Sequence, residues 1–121
     1  MKPKIYIAGP ISLGDWGNNV HKALEAAEHI VRIGGVPFVP HLSLLWQVYH
    51  PHDHTWWLEQ DLVWLDSCDA LYRIRGESDG ADREVGHALA MPIPVFLGEP
   101  IGLGQLLEWI RERNRDGNET S

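Results

Sequence analysis

The chain of 121 residues has little cysteine, no long apolar run and few cationic side chains. A single cysteine, Cys68, cannot form a disulfide within the chain, which suits a reducing compartment. No stretch approaches the roughly 18 consecutive apolar residues that a membrane-spanning helix needs. A net charge of −7 argues against a nucleic-acid backbone as the main partner. These absences predict a cytoplasmic protein with neither a membrane nor a nucleic-acid partner, which leaves a small molecule as the expected ligand.

The rest of the composition is that of one globular domain. The chain has 44% hydrophobic and 22% charged residues, and its length suffices for one core but not for two. The opening residues, MKPKIYIAGP, start with basic side chains, but glycine and proline interrupt the apolar run, which predicts a strand rather than a targeting segment. We therefore expect a single domain over residues 1–121, with a polar, frayed tail from about residue 116.

Short apolar runs alternate with segments of helical periodicity in the order of a parallel α/β fold. Strands are predicted at residues 4–8, 36–40, 70–74 and 93–97. The first helix is predicted from a cap at Asp15 or Asn18 to Gly34, with an apolar stripe of Val20, Leu24, Ala27 and Val31. Further helices are predicted at residues 56–67, with Thr55 as the cap, at 82–91 and at 103–114. Right-handed crossovers then give a parallel sheet that is covered on both faces.

Ligands of such sheets bind beyond the carboxyl ends of the strands. Four loops are expected at that edge, over residues 9–17, 41–55, 75–82 and 98–102. The third of them runs into the segment ESDGADREVGHA, residues 77–88, which crowds four carboxylates and two glycines together. This segment is therefore the first candidate for a functional site.

Glu84 is the carboxylate of this segment that fits a chemical role best. We expect it in the first turn of its helix, where free N–H groups and the helix dipole keep a carboxylate ionised, as a nucleophile requires. The same position is common for a glutamate that only stabilises a helix start, by about 0.3 to 1 kcal/mol. Gly80, Gly86 and Ala81 allow backbone or substrate to approach Glu84 closely, or they serve packing alone. Position by itself leaves both interpretations open.

Three segments together resemble the nucleoside 2-deoxyribosyltransferase-like superfamily. They are IYIAGPIS at 5–12, DLVWLDSCDALYRI at 61–74 and SDGADREVGHALAMPIPVF at 78–96, in the order and spacing of that superfamily. The superfamily includes 2′-deoxynucleoside 5′-phosphate N-hydrolases and a bacterial and phage branch without a settled activity. The resemblance implies a small Rossmann-like, flavodoxin-like fold with three layers and a parallel sheet of about four strands.

The resemblance also implies a role for particular residues. Glu84 corresponds to the glutamate that attacks the anomeric carbon of the sugar, Tyr6 to the residue that orients it, and Asp61 to the aspartate that assists the leaving base. The remaining positions expected to bind substrate are Gly9, Pro10, Ser12, Trp16, Ser78, Gly80 and Ala81. For Trp16, stacking on a base and simple packing both remain open.

Ser78 bears on whether the substrate carries a 5′-phosphate. The resemblance places an aspartate here in many transferases and a serine in the nucleotide hydrolases, and a hydroxyl donates a hydrogen bond without adding like charge. The hydrolases also carry an arginine in the loop after the first strand, where this sequence has none and has Asp15 instead. A phosphate would then rest on Ser12, Ser78 and backbone N–H groups, so we expect phosphate only as a preference.

The predicted activity is cleavage of the N-glycosidic bond of a (2′-deoxy)nucleoside or a nucleoside 5′-monophosphate through a covalent glycosyl-enzyme intermediate, without a cofactor. A close carboxylate stabilises the oxocarbenium-like state, and a second acid protonates the leaving base. If water resolves the intermediate, the enzyme is a hydrolase; if a second base does, it is a deoxyribosyltransferase. The alternative is a non-catalytic nucleotide-binding module on the same fold.

Aromatic residues and histidines raise two further questions. Trp57, Asp61 and Trp64 form a stripe that suits a subunit contact or a pocket wall, and because the superfamily builds sites near subunit contacts we expect a homo-oligomer, a dimer or larger. Three histidines alternate in YHPHDHT, residues 49–55. They suit a lid over the ligand better than a metal site, because no matching cluster elsewhere completes one, and we predict no metal.

Overall fold

Four short strands form one parallel sheet at the centre of the protein. The computed structural model describes residues 1–120, with side chains to residue 116, and its strands are β1 (Lys4–Ala8), β2 (Val36–Phe38), β3 (Ala70–Arg73) and β4 (Val95–Leu97). Their order in the sheet is β2-β1-β3-β4. Strands β1 and β3 are buried almost throughout, as parallel strands are when helices cover both faces. The proline-bracketed β2 lies at an edge, as the sequence predicts.

Helices cover both faces of this sheet. They are α1 (Trp16–Arg32), α2 (Leu44–Tyr49), α3 (His54–Asp66), α4 (Asp79–Ala90) and α5 (Gly102–Thr120), with a 3₁₀ turn over Pro40–Ser43. One core joins the sheet to α1 and α5, and a second joins it to α3 and α4. The predicted three-layer, Rossmann-like α/β fold is confirmed.

Strand alternation decides which side chains face α3 and α4. Ile5 and Ile7 of β1 belong to the core beneath α1 and α5, whereas Tyr6 and Ala8 point to the opposite face. Leu71 of β3 pairs with Tyr6 and lies on that same face. A polar hydroxyl on a central strand is therefore directed at α4.

Helix α4 begins three residues earlier than the sequence predicts. The hydroxyl of Ser78 accepts a hydrogen bond from the N–H of Ala81 at 3.1 Å, which makes Ser78 the N-cap and Asp79 the first helical residue. The prediction of a start at Asp82 was wrong because it overlooked this cap. Glu84 consequently lies in the second turn of α4, not in the first.

The start of α3 also differs from the prediction. The carboxylate of Asp53, not Thr55, caps this helix, because Asp53 Oδ1 accepts from the N–H of Trp56 at 2.8 Å. The long connection before it contains the 3₁₀ turn and α2, which the sequence does not predict. The polar tail expected from about residue 116 falls on residues whose side chains lie outside the described part of the chain.

In α1 the buried stripe is rotated from the predicted one. Asp15 is the cap, accepting from the N–H of Asn18 at 3.1 Å, but Leu24 and Val31 are about half exposed. The buried residues are three alanines, Ala23, Ala26 and Ala27, and then Ile30. Because alanine side chains are small, the helix can lie close to the sheet, and this close packing is favoured over the burial of Leu24 and Val31. Within the described residues, no helix combines the length and the apolar character needed to cross a bilayer.

Candidate active site

The carboxyl ends of β1 and β3 open onto a cavity of about 440 Å³. The loop after β1, the segment from the 3₁₀ turn to α3, and the first turns of α4 form its wall. Most residues that the sequence predicts for the site lie on this wall: Gly9, Ser12, Trp16, Asp61, Ser78, Gly80, Ala81 and Glu84. Segments that are far apart in the sequence therefore meet at the sheet edge where the topology predicts a ligand.

Glu84 lines the cavity and is joined to Tyr6, which lies behind the wall and is not among the lining residues. The Tyr6 hydroxyl donates a hydrogen bond to Glu84 Oε2, and both residues are buried, with 0% and 6% of their surface exposed. Because Tyr6 is on a central strand, its hydroxyl is a rigid donor. The bond fixes one carboxylate oxygen of Glu84, while the residue still contributes to the cavity wall.

Burial dominates the electrostatics of Glu84. Desolvation raises the pKa of its carboxyl to about 8; the hydrogen bond from Tyr6 and the charge of Arg73 act against this rise, and the charge of Asp61 adds to it. The expectation of a carboxylate that stays ionised near neutrality was therefore wrong for the free protein. The helix dipole acts on the first turn, and Glu84 lies beyond it with its side chain withdrawn from water.

Asp61 supplies a second acid in the same cavity. It stands on α3, and burial raises the pKa of its carboxyl to about 7. Trp57, one turn earlier, lines the cavity beside it, whereas Trp64 is 56% exposed and stacks on Phe38 with ring centroids 5.0 Å apart. Of the two interpretations of this stripe, the pocket wall applies to Trp57 and Asp61.

The start of α4 brings polar groups and open space together. The Ser78 oxygen is occupied as the helix cap, but its O–H can still donate to a ligand. At Gly80, the Cε1 atom of His54 lies 3.4 Å from the place where a Cβ would stand, so the histidine is at contact distance from this position. His54 thus packs over the first turn of α4.

Two predicted parts of the site lie elsewhere. The carbonyl of Pro10 faces Nε2 of His41 at 3.0 Å, and Pro10 is not among the residues that line the cavity. Burial lowers the pKa of His41, against the opposing effect of the hydrogen bond to Pro10. Residues 98–102 are also absent from the cavity wall, because they follow β4, the strand at the edge of the sheet. In this loop the backbone carbonyl of Glu99 accepts a hydrogen bond from Arg75.

A network around Gln47 was missed. Its Oε1 accepts from the backbone N–H of His52 at 2.9 Å and from the indole N–H of Trp57, and all three residues line the cavity. Both partners are donors, so the amide orientation is fixed and its NH₂ group is left to donate. His52 stacks on Trp56 at a centroid distance of 3.5 Å. The alternating histidines indicated a lid here, but nothing in the sequence pointed to Gln47.

The charged groups of the cavity wall are acidic, and apolar and aromatic side chains form most of the rest. Neither lysine nor arginine is among its lining residues, which include three carboxylates, Asp61, Asp79 and Glu84. Over the part of the chain that the structure describes, no group of three or more His, Cys, Asp and Glu side chains could hold a metal ion. What the wall can offer a ligand is therefore proton transfer, hydrogen bonds and stacking.

Two solved structures share this fold. A 2-deoxyribosyltransferase from Bacillus psychrosaccharolyticus, described as a biocatalyst for nucleoside synthesis, is 24% identical with a TM-score of 0.58, and the match covers 83% of this chain and 77% of that one. A 2-desoxiribosyltransferase from Leishmania mexicana is 19% identical with a TM-score of 0.57, over 78% of this chain and 63% of that one. Likeness at these identities establishes the fold.

The sheet order and these structural relatives define a Rossmann-like α/β protein that shares its fold with these two deoxyribosyltransferases. Residues 3–97 match the family described as Domain of unknown function (DUF7768), and the chain belongs to this family. A comparison with curated proteins found no match. The matched range contains Tyr6, Asp61 and Glu84, so the acidic cavity belongs to the family domain.

Proposed function

We propose that the protein cleaves the N-glycosidic bond of a (2′-deoxy)nucleoside or a nucleoside 5′-monophosphate, with Glu84 as the nucleophile. The observation that carries this proposal is the buried hydrogen bond from Tyr6 to Glu84 in a cavity that also holds Asp61. One carboxyl is oriented by a rigid donor, and the other is free to exchange a proton. Glycoside cleavage requires this division between two acids.

The proposed chemistry has two displacement steps. An oxygen of Glu84 attacks C1′ of the sugar, the bond from C1′ to the base nitrogen breaks, and the base takes that electron pair and the proton of Asp61. The intermediate is a glycosyl ester of Glu84. Water or a second base then attacks C1′, Glu84 leaves as a carboxylate, and the proton of the attacking group returns to Asp61. Water makes the protein a hydrolase, and a second base makes it a deoxyribosyltransferase.

Proton distribution sets how much of the protein is ready to react. The reactive form has Glu84 ionised and Asp61 protonated, and burial raises the pKa of both carboxyls, to about 8 and about 7, so the pair exchanges protons near neutral pH. The hydrogen bond from Tyr6 and the developing positive charge on the sugar both favour ionised Glu84, so they draw the protein towards that form.

Base release tests the proposal. The wild-type protein is incubated near pH 7.5 with deoxynucleosides and their 5′-monophosphates, with and without a second base, and free and exchanged bases are separated by chromatography. We expect release that is abolished in Glu84→Gln and retained in Glu108→Gln, a matched change on the exposed side of α5. A fluorinated nucleoside analogue should leave a sugar on the peptide that contains Glu84. Release that survives Glu84→Gln would contradict the mechanism.

A second candidate is a nucleotide-binding module without turnover. The observation that favours it is the raised pKa of Glu84, because a protonated carboxyl donates hydrogen bonds and is a poor nucleophile. Binding of nucleosides measured by calorimetry, together with no base release between pH 6 and 9, would support this candidate. Base release that increases as Glu84 ionises would exclude it.

Assembly and location also remain proposals. We expect a homo-oligomer, because α2, α3 and the 3₁₀ turn expose large apolar side chains near the cavity, among them Leu42, Trp46 and Trp64. Light scattering of the purified protein gives its mass and tests this expectation. We also expect the cytoplasm as its location, since a single half-buried cysteine suits a reducing compartment.

A further inference from the structure

Arg73, the last residue of β3, is buried beside the start of α4. Side chains alternate along a strand, so Arg73 shares a face with Leu71, the face that α3 and α4 cover. Only 9% of Arg73 is exposed. A guanidinium withdrawn from water is costly unless its N–H groups are paired, so its partners indicate what the side chain does.

Its guanidinium donates to the loop before α4 and to the first turn of α4 itself. One terminal nitrogen donates to the carbonyl of Ile74, and the other donates to the carbonyl of Gly76 at 2.9 Å and to Asp82 Oδ1 at 3.0 Å. A planar guanidinium can donate in several fixed directions at once, which the single ammonium of a lysine cannot reproduce. The Arg73 side chain thus links the loop that contains Ile74 and Gly76 to Asp82 of α4.

The backbone of this loop fits that arrangement. Gly76 has φ of +131°, which side-chain-bearing residues rarely adopt, and a Cβ at this position would lie 2.7 Å from Cγ of Pro10. The chain therefore turns sharply where the Gly76 carbonyl meets Arg73. Ser78, the cap of α4, follows two residues later.

We propose that Arg73 is a positioning residue, which holds the 74–78 loop against the first turn of α4 and so sets Ser78 and Glu84 at the cavity. Asp82, which accepts from Arg73, precedes Glu84 by two residues on the same helix, so the contact reaches Glu84 through a rigid element. The inference rests on the proposed function for its effect on catalysis, but the hydrogen bonds themselves do not depend on any activity.

Charge gives the same residue a second effect on Glu84. The titratable and charged groups that act on Glu84 are Tyr6 from β1, Asp61 from α3 and Arg73 from β3. Arg73 and Tyr6 favour the ionised carboxylate, and Asp61 opposes it. Removal of the cation should therefore change the ionisation of Glu84. A substitution that keeps the cation but loses the multiple hydrogen bonds of the guanidinium should change only the position of the loop and of Glu84.

Two substitutions separate these effects. Arg73→Gln removes both the guanidinium hydrogen bonds and the positive charge. We expect kcat for base release to fall by about 10- to 100-fold. The alkaline limb of the pH profile should move to higher pH. Arg73→Lys keeps the charge, so kcat should fall while that limb stays close to its wild-type position. Arg111→Gln, a matched change at an exposed arginine of α5, should alter neither. A residue that only stabilised the fold would leave the pH limb unmoved in all three variants.

Readouts without substrate keep the test independent of the proposed function. Amide hydrogen exchange over residues 76–83 should become faster in both Arg73 variants, and ¹³C NMR of the Glu84 carboxyl should show a higher pKa in Arg73→Gln than in the wild type. If Arg73→Gln does not fold, Asp82→Ala replaces it, since Asp82 is 72% exposed in its side chain, and faster exchange is expected there too. Wild-type exchange and an unchanged Glu84 titration in the folded variants would overturn the proposal. Absence of base release in the wild-type protein would instead refute the proposed function.

Discussion

The hydroxyl of Tyr6 donates a hydrogen bond to Oε2 of Glu84, across 78 positions of sequence. Tyr6 stands on β1, between β2 and β3, with no exposed surface. Glu84 stands on α4, at the carboxyl edge of the sheet where the cavity opens. The bond therefore connects the most rigid layer of the protein to the atom proposed to react.

Tyr6→Phe should reduce base release by about 100-fold, because one oriented donor to a reacting group typically contributes this much. Loss of the hydrogen bond also removes a group that lowers the pKa of Glu84, so the alkaline limb of the pH profile should move upwards. The rate is measured from pH 6 to 10 by chromatography of the free base. Tyr49→Phe, which changes a 73% exposed tyrosine of α2, is the control and should leave the profile unchanged.

The wild-type pH profile should be bell-shaped, with its maximum between about pH 7 and about pH 8. Below this range Glu84 and Asp61 are both protonated and the nucleophile is lost; above it both are ionised and the proton donor is lost. Initial rates at constant ionic strength give the profile. A rate that keeps increasing above pH 9 would exclude a role for Asp61 as an acid.

Asp61→Asn should slow base release by about 100-fold or more, because general acid catalysis is worth 10²- to 10⁴-fold. The loss should be smaller for a nucleoside whose base leaves readily as an anion, since such a base needs no proton. The comparison is made with kcat/KM for a natural nucleoside and for an analogue with an acidic base. Glu59→Gln, at an exposed position of the same helix, is the control. An equal loss for both substrates would indicate that Asp61 only shapes the cavity.

The architecture follows closely from local pattern. Apolar runs bounded by glycine and proline predict all four strands, and their alternation with helices predicts the parallel sheet and the edge at which the cavity lies. Details at helix ends do not follow as well. Ser78 and Asp82 are both acceptable caps, and the contact of Asp82 with Arg73 is tertiary, so the local sequence does not select between them.

Burial is the property of the site that the sequence does not reveal. Glu84 looks like a helix-start charge, and only its contact with Tyr6 and the packing of β1 against α4 withdraw it from water. Helix α2 was missed for a related reason: none of its residues is buried, so its six residues show no apolar periodicity towards a core. Because the sequence does not predict α2, it also does not predict that Gln47, a residue of this helix, lines the cavity.

Glu84→Gln should stabilise the protein at alkaline pH while it abolishes activity. The folded-state pKa of Glu84, about 8, exceeds its ordinary value of 4.5, so the folded protein binds the proton more tightly and loses stability as the pH rises between the two values. The glutamine is neutral throughout, and its advantage should grow from near zero at pH 4 to on the order of 4 kcal/mol at pH 9. Urea denaturation at both pH values measures the free energy of unfolding. An advantage that does not change with pH would contradict the burial of an ionisable Glu84, and Glu108→Gln should show none.

Ser78→Asp tests whether a 5′-phosphate is part of the substrate. Aspartate also caps helices, so α4 should keep its start, but a negative charge is added to a wall without lysine or arginine. We expect the ratio of kcat/KM for the 5′-monophosphate to kcat/KM for the nucleoside to fall by at least 10-fold, because like charges at the short distances of a cavity repel by more than the roughly 1.4 kcal/mol that a 10-fold change requires. Ser78→Thr keeps the cap and the hydroxyl and should preserve that ratio. If Ser78→Asp changes the two substrates equally, the phosphate does not lie beside Ser78, and the serine acts on substrate only through the helix that it caps.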